Sequence, residues 1–182
     1  MLRPAVAVAA LVCALTIGIG GFAVAAEQRE QQDSRMTRAV VIRDPGGDVL
    51  ASLPLRGDSF AVGYRNSIYG TLAEERYVAE EGGSYRLTEI AADQQAVLEE
   101  YYAVPGAPTR APAGDRRDWV AGPDPRHPAV FEKLSIAATD LGERTLHVPG
   151  SAPLALWRLV DDDSPFVSLD ISLDILDIKE TH

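Results

Sequence analysis

FVSLDISLDI, Phe166–Ile175, is the stretch on which the fold turns. Val167, Leu169, Ile171, Leu173 and Ile175 alternate with Ser168, Asp170, Ser172 and Asp174 without a break. Successive side chains of a strand point to opposite faces, so this run packs one face and wets the other. A helix is excluded, because its apolar positions recur every three to four residues.

The same reading extends outward from this strand. Before it, Leu154–Val160, Thr145–Val148 and Phe131–Ala138 read as strands, divided by turns at Pro149-Gly150 and Leu141-Gly142-Glu143. At the other end, Arg38–Arg43 (RAVVIR) stops at Asp-Pro-Gly-Gly-Asp, Val49–Leu55 follows, and Arg56-Gly57-Asp58-Ser59 turns the chain again. Phe60, Val62 and Tyr64 then alternate with Ala61, Gly63 and Arg65, and Asn66 continues the apolar face. Thr71–Ala79 has mixed polarity, Glu80-Glu81-Gly82-Gly83 is a turn, and Ser84–Ile90 is another strand. Short strands at close spacing, with turn residues between them, predict a mainly β fold: an antiparallel sandwich or a partly closed barrel. One short helix interrupts it, capped by Asp93 and carrying Val97, Leu98, Tyr101 and Tyr102 at helical spacing until Pro105-Gly106. Val104–Pro128, rich in Pro and Gly, reads as a long loop pinned to the body by Trp119.

With 182 residues the chain is the size of one domain, and 17 basic against 27 acidic residues give a field that repels polyanions. Nucleic acid is therefore excluded as a partner. Arg3 precedes an uncharged, apolar run from Ala5 to Ala26, and the polar segment EQREQQDSRMT, Glu27–Thr37, follows. The expected organisation is a signal peptide or N-terminal membrane anchor over 1–26, a polar tether over 27–37, and a single extracytoplasmic β-rich domain over 38–182. The protein is then either secreted or held at the cytoplasmic membrane by its N-terminal segment. The sole cysteine, Cys13, lies in that segment, so the exported domain lacks a thiol for a disulfide, a zinc site or nucleophilic attack.

The stretch YRNSIYGTLAEERY, Tyr64–Tyr77, ends an apolar strand face in Asn-Ser and then gathers Glu74, Glu75 and Arg76. Asn66 has two readings. In one its amide holds the turn Ser67–Gly70 through backbone hydrogen bonds. In the other Asn66, Ser67 and one of Glu74 or Glu75 converge from adjacent strands into a polar pocket.

Tyr64-Arg65-Asn66-Ser67, Thr71 and Glu74-Glu75, followed by Gly82-Gly83 and Leu87, resemble the core motif of a family of small exported domains of unknown function, encoded beside TAXI-type TRAP transporters. The likeness covers roughly Val40–Pro105. Many members show His-Ser where this chain has Asn66-Ser67, and asparagine neither titrates near neutrality nor readily ligates a transition metal. The resemblance implies a non-enzymatic accessory protein of solute uptake, partnered by a TRAP membrane or solute-binding subunit. Its ligand-binding or structural motif would be Tyr64, Asn66, Ser67, Thr71, Glu74 and Glu75, without catalytic residues, metal or cofactor.

The residues bear on other chemistries as well. A hydrolase would need Ser67 with His127 or His147 and an acid, but no Gly-x-Ser-x-Gly elbow occurs. His127 reads as a solvated loop residue, and His147, alternating with Leu146 and Val148, as outward-pointing. Calcium could draw on Asp161-Asp162-Asp163-Ser164 with Asp170 and Asp174, although EF-hand spacing is absent and solvated acidic turns are the simpler explanation. This leaves a stand-alone small-ligand or calcium-binding module as the alternative to the uptake role. Arg56-Gly57-Asp58 matches an adhesion tripeptide but sits in a tight turn, which explains it structurally.

Overall fold

The computed structural model describes residues 36–161 and 163–175. The expected signal or anchor segment, nearly all of the tether and the Asp162 ligand lie outside them, as does the side chain of Asp174. Arg38–Asp174 forms one compact unit. The second unit, Met1–Thr37 with Ile175–His182, contributes to the described residues only the first two of the first strand and the end of the last. No helix among the described residues is long and apolar enough to cross a membrane.

Among the described residues twelve strands follow one another: β1 (Met36–Arg43), β2 (Val49–Pro54), β3 (Ser59–Arg65), β4 (Leu72–Ala79), β5 (Tyr85–Ala92), β6 (Thr109–Arg110), β7 (Trp119–Ala121), β8 (Val130–Phe131), β9 (Lys133–Ala137), β10 (Thr145–His147), β11 (Leu154–Ala155) and β12 (Phe166–Ile175). They form a four-stranded sheet, β2-β1-β12-β9, and a larger sheet, β11-β10-β3-β4-β5-β7-β6, with β8 also paired to β5. The smaller sheet turns Val40, Ile42, Ile136, Val167, Leu169 and Ile171 into a buried cluster that also holds Phe60, Val62, Tyr77, Tyr85 and Leu146 of the larger one. This is a β sandwich, not a closed barrel. Tyr85 joins the two layers: its hydroxyl donates to the Leu169 carbonyl at 2.8 Å, inside the core. Around it Phe60 stacks on Tyr77 at 5.2 Å, and Phe131 approaches Tyr85 at 5.8 Å.

Several expected boundaries shift for physical reasons. The run Phe131–Ala138 is two strands, because the chain leaves the larger sheet at β8 and joins the smaller one at β9. Leu154–Val160 pairs only through Leu154 and Ala155, then turns through a 3₁₀ turn, Leu156–Arg158, that buries Leu156. The helix is a single π-helical turn, Val97–Tyr101, closed by Tyr102 N–H on the Val97 carbonyl. Asp93 does not cap it. Its carboxylate accepts instead from the Leu72 amide at 3.3 Å and from Arg117 at 3.1 Å. The long Pro/Gly loop holds the short pair β6–β7, which adds to the β5 edge, and Arg110 lies over the Trp119 ring at 4.2 Å. Trp119 thus pins the loop, as its surroundings in the sequence suggest.

Candidate functional site

The ladder between β3 and β4 sets the site. Val62 faces Glu75, Gly63 faces Glu74, Tyr64 faces Ala73 and Arg65 faces Leu72. Beyond Arg65 the chain turns. Asn66 is buried; its Oδ1 accepts from the Ile68 and Tyr69 amides at 3.0 and 3.1 Å, while its own N–H donates to the Thr71 carbonyl at 2.8 Å. An asparagine spent on three backbone partners is a turn holder, so the structural reading of Asn66 is the one realised. Arg65 braces the same turn, donating to the Gly70 carbonyl at 3.1 Å and to Glu143 at 2.8 Å. Ser67 is exposed, and the buried Thr71 hydroxyl has no hydrogen-bond partner among the described residues.

The pocket that would unite Asn66, Ser67 and a glutamate is not formed. Neither glutamate hydrogen-bonds the corner, and a period of two sends Glu74 and Glu75 to opposite faces of the sheet. Glu75 lies on the inner face with Val62, Ala73 and Tyr77. Its two oxygens accept from Tyr102 and Tyr77 hydroxyls, each at 2.7 Å, and Tyr64 donates in turn to the Tyr102 oxygen at 2.7 Å. Burial pushes the Tyr64 hydroxyl up to about 12. Burial, and then the negative charge of Glu75, drive Tyr77 and Tyr102 far above the usual phenol range. All three tyrosines are neutral donors at physiological pH.

Glu74 lies on the outer face, yet it is 0% exposed. Its cover consists of arginines: Arg76 donates to Oε1 at 3.1 Å, Arg116 to Oε2 through two nitrogens at 3.1 and 2.6 Å, and Arg117 Nε stands 3.2 Å from Oε1. Arg76 also donates to Glu89 at 2.6 Å and to both oxygens of Asp115 at 2.9 and 2.5 Å. Arg117 reaches Asp93. Asp115, Arg116 and Arg117 come from the loop, which these bonds lay across β4. Burial raises the Glu74 carboxyl, but Arg116 and Arg76 overrule it and hold the group below the usual carboxylate range. The hydrogen bonds from Arg76 hold Asp115 at about 2.

Beside this network opens a cleft of about 780 Å³, floored by Ala61, Val78 and Arg76 and walled by Glu89, Arg116 and His147. The imidazole of His147 is half-buried rather than fully outward, and neither ring nitrogen hydrogen-bonds a described residue. Burial, then the charge of Arg116, lower its affinity for a proton, so it is neutral at pH 7. Of the other predicted residues, His127 is exposed and stands 3.1 Å from Asp124, and Ser67 bonds neither histidine. Asp170 is held by Arg43 at 2.9 Å, and the described residues contain no group of three or more His, Cys, Asp or Glu arranged to hold a metal. In the Arg56-Gly57-Asp58 turn, Arg38 binds both the Asp58 carboxylate and the Gly57 carbonyl.

Sequence reasoning therefore found Glu74 but missed Arg76 as its partner, along with Asp115, Arg116, Arg117 and His147. A signal existed: Glu74 and Arg76 share a strand face, and Asp115-Arg116-Arg117-Asp118 is a run of four consecutive charges inside a Pro/Gly-rich loop. No family model, curated protein or solved structure matches the chain.

Proposed function

We propose that this chain is a non-enzymatic, exported accessory domain of a TAXI-type TRAP uptake system, and that the outer cleft is the surface through which it meets its ligand or its transporter subunit. The observation that carries the reading is that Glu74, one residue of the resemblance, is hydrogen-bonded by Arg76 and Arg116, both of which line the cleft; the motif residues themselves lie outside its lining. Both glutamates of the motif are saturated by protein donors, which suits a scaffold better than a general base. Copurification in mild detergent with a tagged membrane or solute-binding subunit tests it. Recovery of that subunit is expected, reduced in Thr88→Trp, which fills the cleft from its exposed rim; repeated absence of transporter subunits would overturn the reading.

The cleft itself favours a second reading, a stand-alone module for a small ligand; its calcium arm would rest on the acidic turn near Asp161, outside the cleft lining. For calcium the check is a thermal melt: a midpoint unmoved by millimolar calcium and by chelator removes that arm.

A further inference from the structure

Three guanidinium groups surround one buried carboxylate, and they are not equally committed. Arg76 is shared with Glu89 and Asp115, and Arg117 with Asp93. Among the described residues Arg116 bonds only Glu74, through Nε and Nη2, and its side chain is 52% exposed on the cleft wall. Besides Arg116, Glu74 accepts a hydrogen bond from Arg76 at 3.1 Å and has Arg117 Nε at 3.2 Å as an ion-pair neighbour without a hydrogen bond. The Nη1 end of Arg116, with its second pair of parallel donors, makes no hydrogen bond to a described residue. Arg116 is the spare cation of the cluster.

His147 stands on the same wall with both ring nitrogens uncommitted. Its position is built into the sheet. A Cβ on Gly63, the residue paired with Glu74, would come within 3.1 Å of His147 Nε2, so β3 leaves out a side chain where the ring lies. Glycine inside a strand commonly marks such a close approach.

Resting on the reading of the cleft as a binding surface, we propose that Arg116 and His147 form an anchoring subsite for the carboxylate of a small hydroxy- or amino-acid ligand. The planar guanidinium edge matches a carboxylate in two parallel hydrogen bonds, and the imidazole adds a third polar contact. The charge balance does not itself attract an anion: Arg76, Arg116 and Arg117 stand against Glu74, Glu89, Asp93 and Asp115, one carboxylate more, so the paired donors of Arg116 carry the contact, and a dianion is disfavoured more than a monoanion. Glu89 Oε2, on a side chain 39% exposed and bonded to Arg76 only through Oε1, is free to accept from the hydroxyl or ammonium of the ligand.

The test uses the full chain in detergent, with thermal melts at constant ionic strength in lactate, glycine and glutamate, and with lactamide, inorganic phosphate and chloride as controls. At least one of the three acids should give a saturable rise in Tm that lactamide and chloride do not. Arg116→Gln and His147→Gln should each weaken it about tenfold, the size expected for one charge-assisted hydrogen bond. Should Arg116→Gln fail to fold, Arg116→Lys retains the charge without the paired donors and should still weaken binding. In parallel, the NMR titration midpoint of the His147 ring should rise when the acid is bound. A rise that survives both variants undiminished, tighter binding of phosphate than of any of the acids, or no response to any of them overturns the subsite. Copurification with the transporter is scored separately, so absent carboxylate binding with intact copurification sinks this inference alone.

Discussion

Glu74 and Glu75 are neighbours in the chain and live in different chemistries. Glu75, on the inner face, is satisfied by neutral tyrosine hydroxyls; Glu74, on the outer face, is satisfied by arginines although no part of it reaches solvent. The alternation of a strand assigned them to their faces, and what each face could supply did the rest. The inner face is walled by Tyr64, Tyr77 and Tyr102, which bring donors without charge. The outer face has only a polar loop above it, and its donors are cations. Carboxylates removed from bulk water are thus stabilised in two ways at successive positions of one ladder. The charged way is the more brittle, because removing one member leaves the others' charges uncompensated in a poorly solvated place.

The largest effect expected from this difference is that of Glu74→Gln. Size is retained while the one anion common to Arg76, Arg116 and Arg117 is removed, and loss of a buried ion-pair partner costs about 3 kcal/mol. Urea unfolding should report it as a lower midpoint with an unchanged slope. If Glu74→Gln proves no more costly than Glu75→Gln, the two environments are energetically alike and the contrast fails.

Acid separates the faces next. Asp115 sits at about 2 because of Arg76, and Glu74 is held below the usual carboxylate range. Both folded-state affinities for protons are depressed, so their contribution is complete above the ordinary carboxylate range and is lost as pH falls toward about 2. The affinity of His147 is depressed as well. Its contribution is present above the ordinary imidazole range and is lost as pH falls through and below it, a separate and earlier step. The inner tyrosines stay neutral throughout and add nothing to either step. Tm measured against pH should therefore show the low-pH loss in the native chain and less of it in Asp115→Asn, whereas Tyr102→Phe should leave the shape of the curve alone.

Glu75→Gln is the milder counterpart. The amide oxygen still accepts one hydroxyl, and the amide nitrogen can donate to the oxygen of the other tyrosine, so the expected cost is about 1 kcal/mol. A double-mutant cycle with Tyr102→Phe should give a coupling of similar size; a coupling near zero would mean that the hydroxyl and Glu75 do not act together.

How much of this was legible in the sequence depends on the range of the interaction. The alternation of Phe166–Ile175 and of Phe60–Tyr64 carried the β fold, because period two is a local property. Asn66 as a turn holder was equally local. The divergence of Glu74 and Glu75 was also written in adjacent positions, and the expectation of a polar pocket left open which of the two would face Asn66 and Ser67; neither hydrogen-bonds them. What no local pattern held was the bulge between Arg76 and Tyr77, the passage between sheets from Phe131 to Lys133, and the docking of Arg116 onto a carboxylate 42 residues earlier. These are decided by which surfaces meet once the sandwich closes, and a loop rich in Pro and Gly leaves no periodicity from which to read where it lands.

Gly63→Ala probes how far the outer face yields, and its expected effect is the smallest. The backbone there lies outside the left-handed region, so alanine is not strained, and it should gain several tenths of a kcal/mol from the unfolded chain. Against that, its Cβ would stand 3.1 Å from Nε2 and 3.5 Å from Cδ2 of His147, the movable end of a side chain with no hydrogen bonds to hold it. The ring should tilt out rather than the strand deform, leaving Tm nearly unchanged. Its titration midpoint, followed by NMR, should then rise toward the ordinary imidazole value as burial is relieved. The inner face has less such freedom, since Phe60, Tyr77, Tyr85 and Phe131 pack ring against ring. A loss of stability in Gly63→Ala comparable to that of Glu74→Gln would show that the cleft wall is as rigid as the core, and that the difference between the faces is one of charge alone.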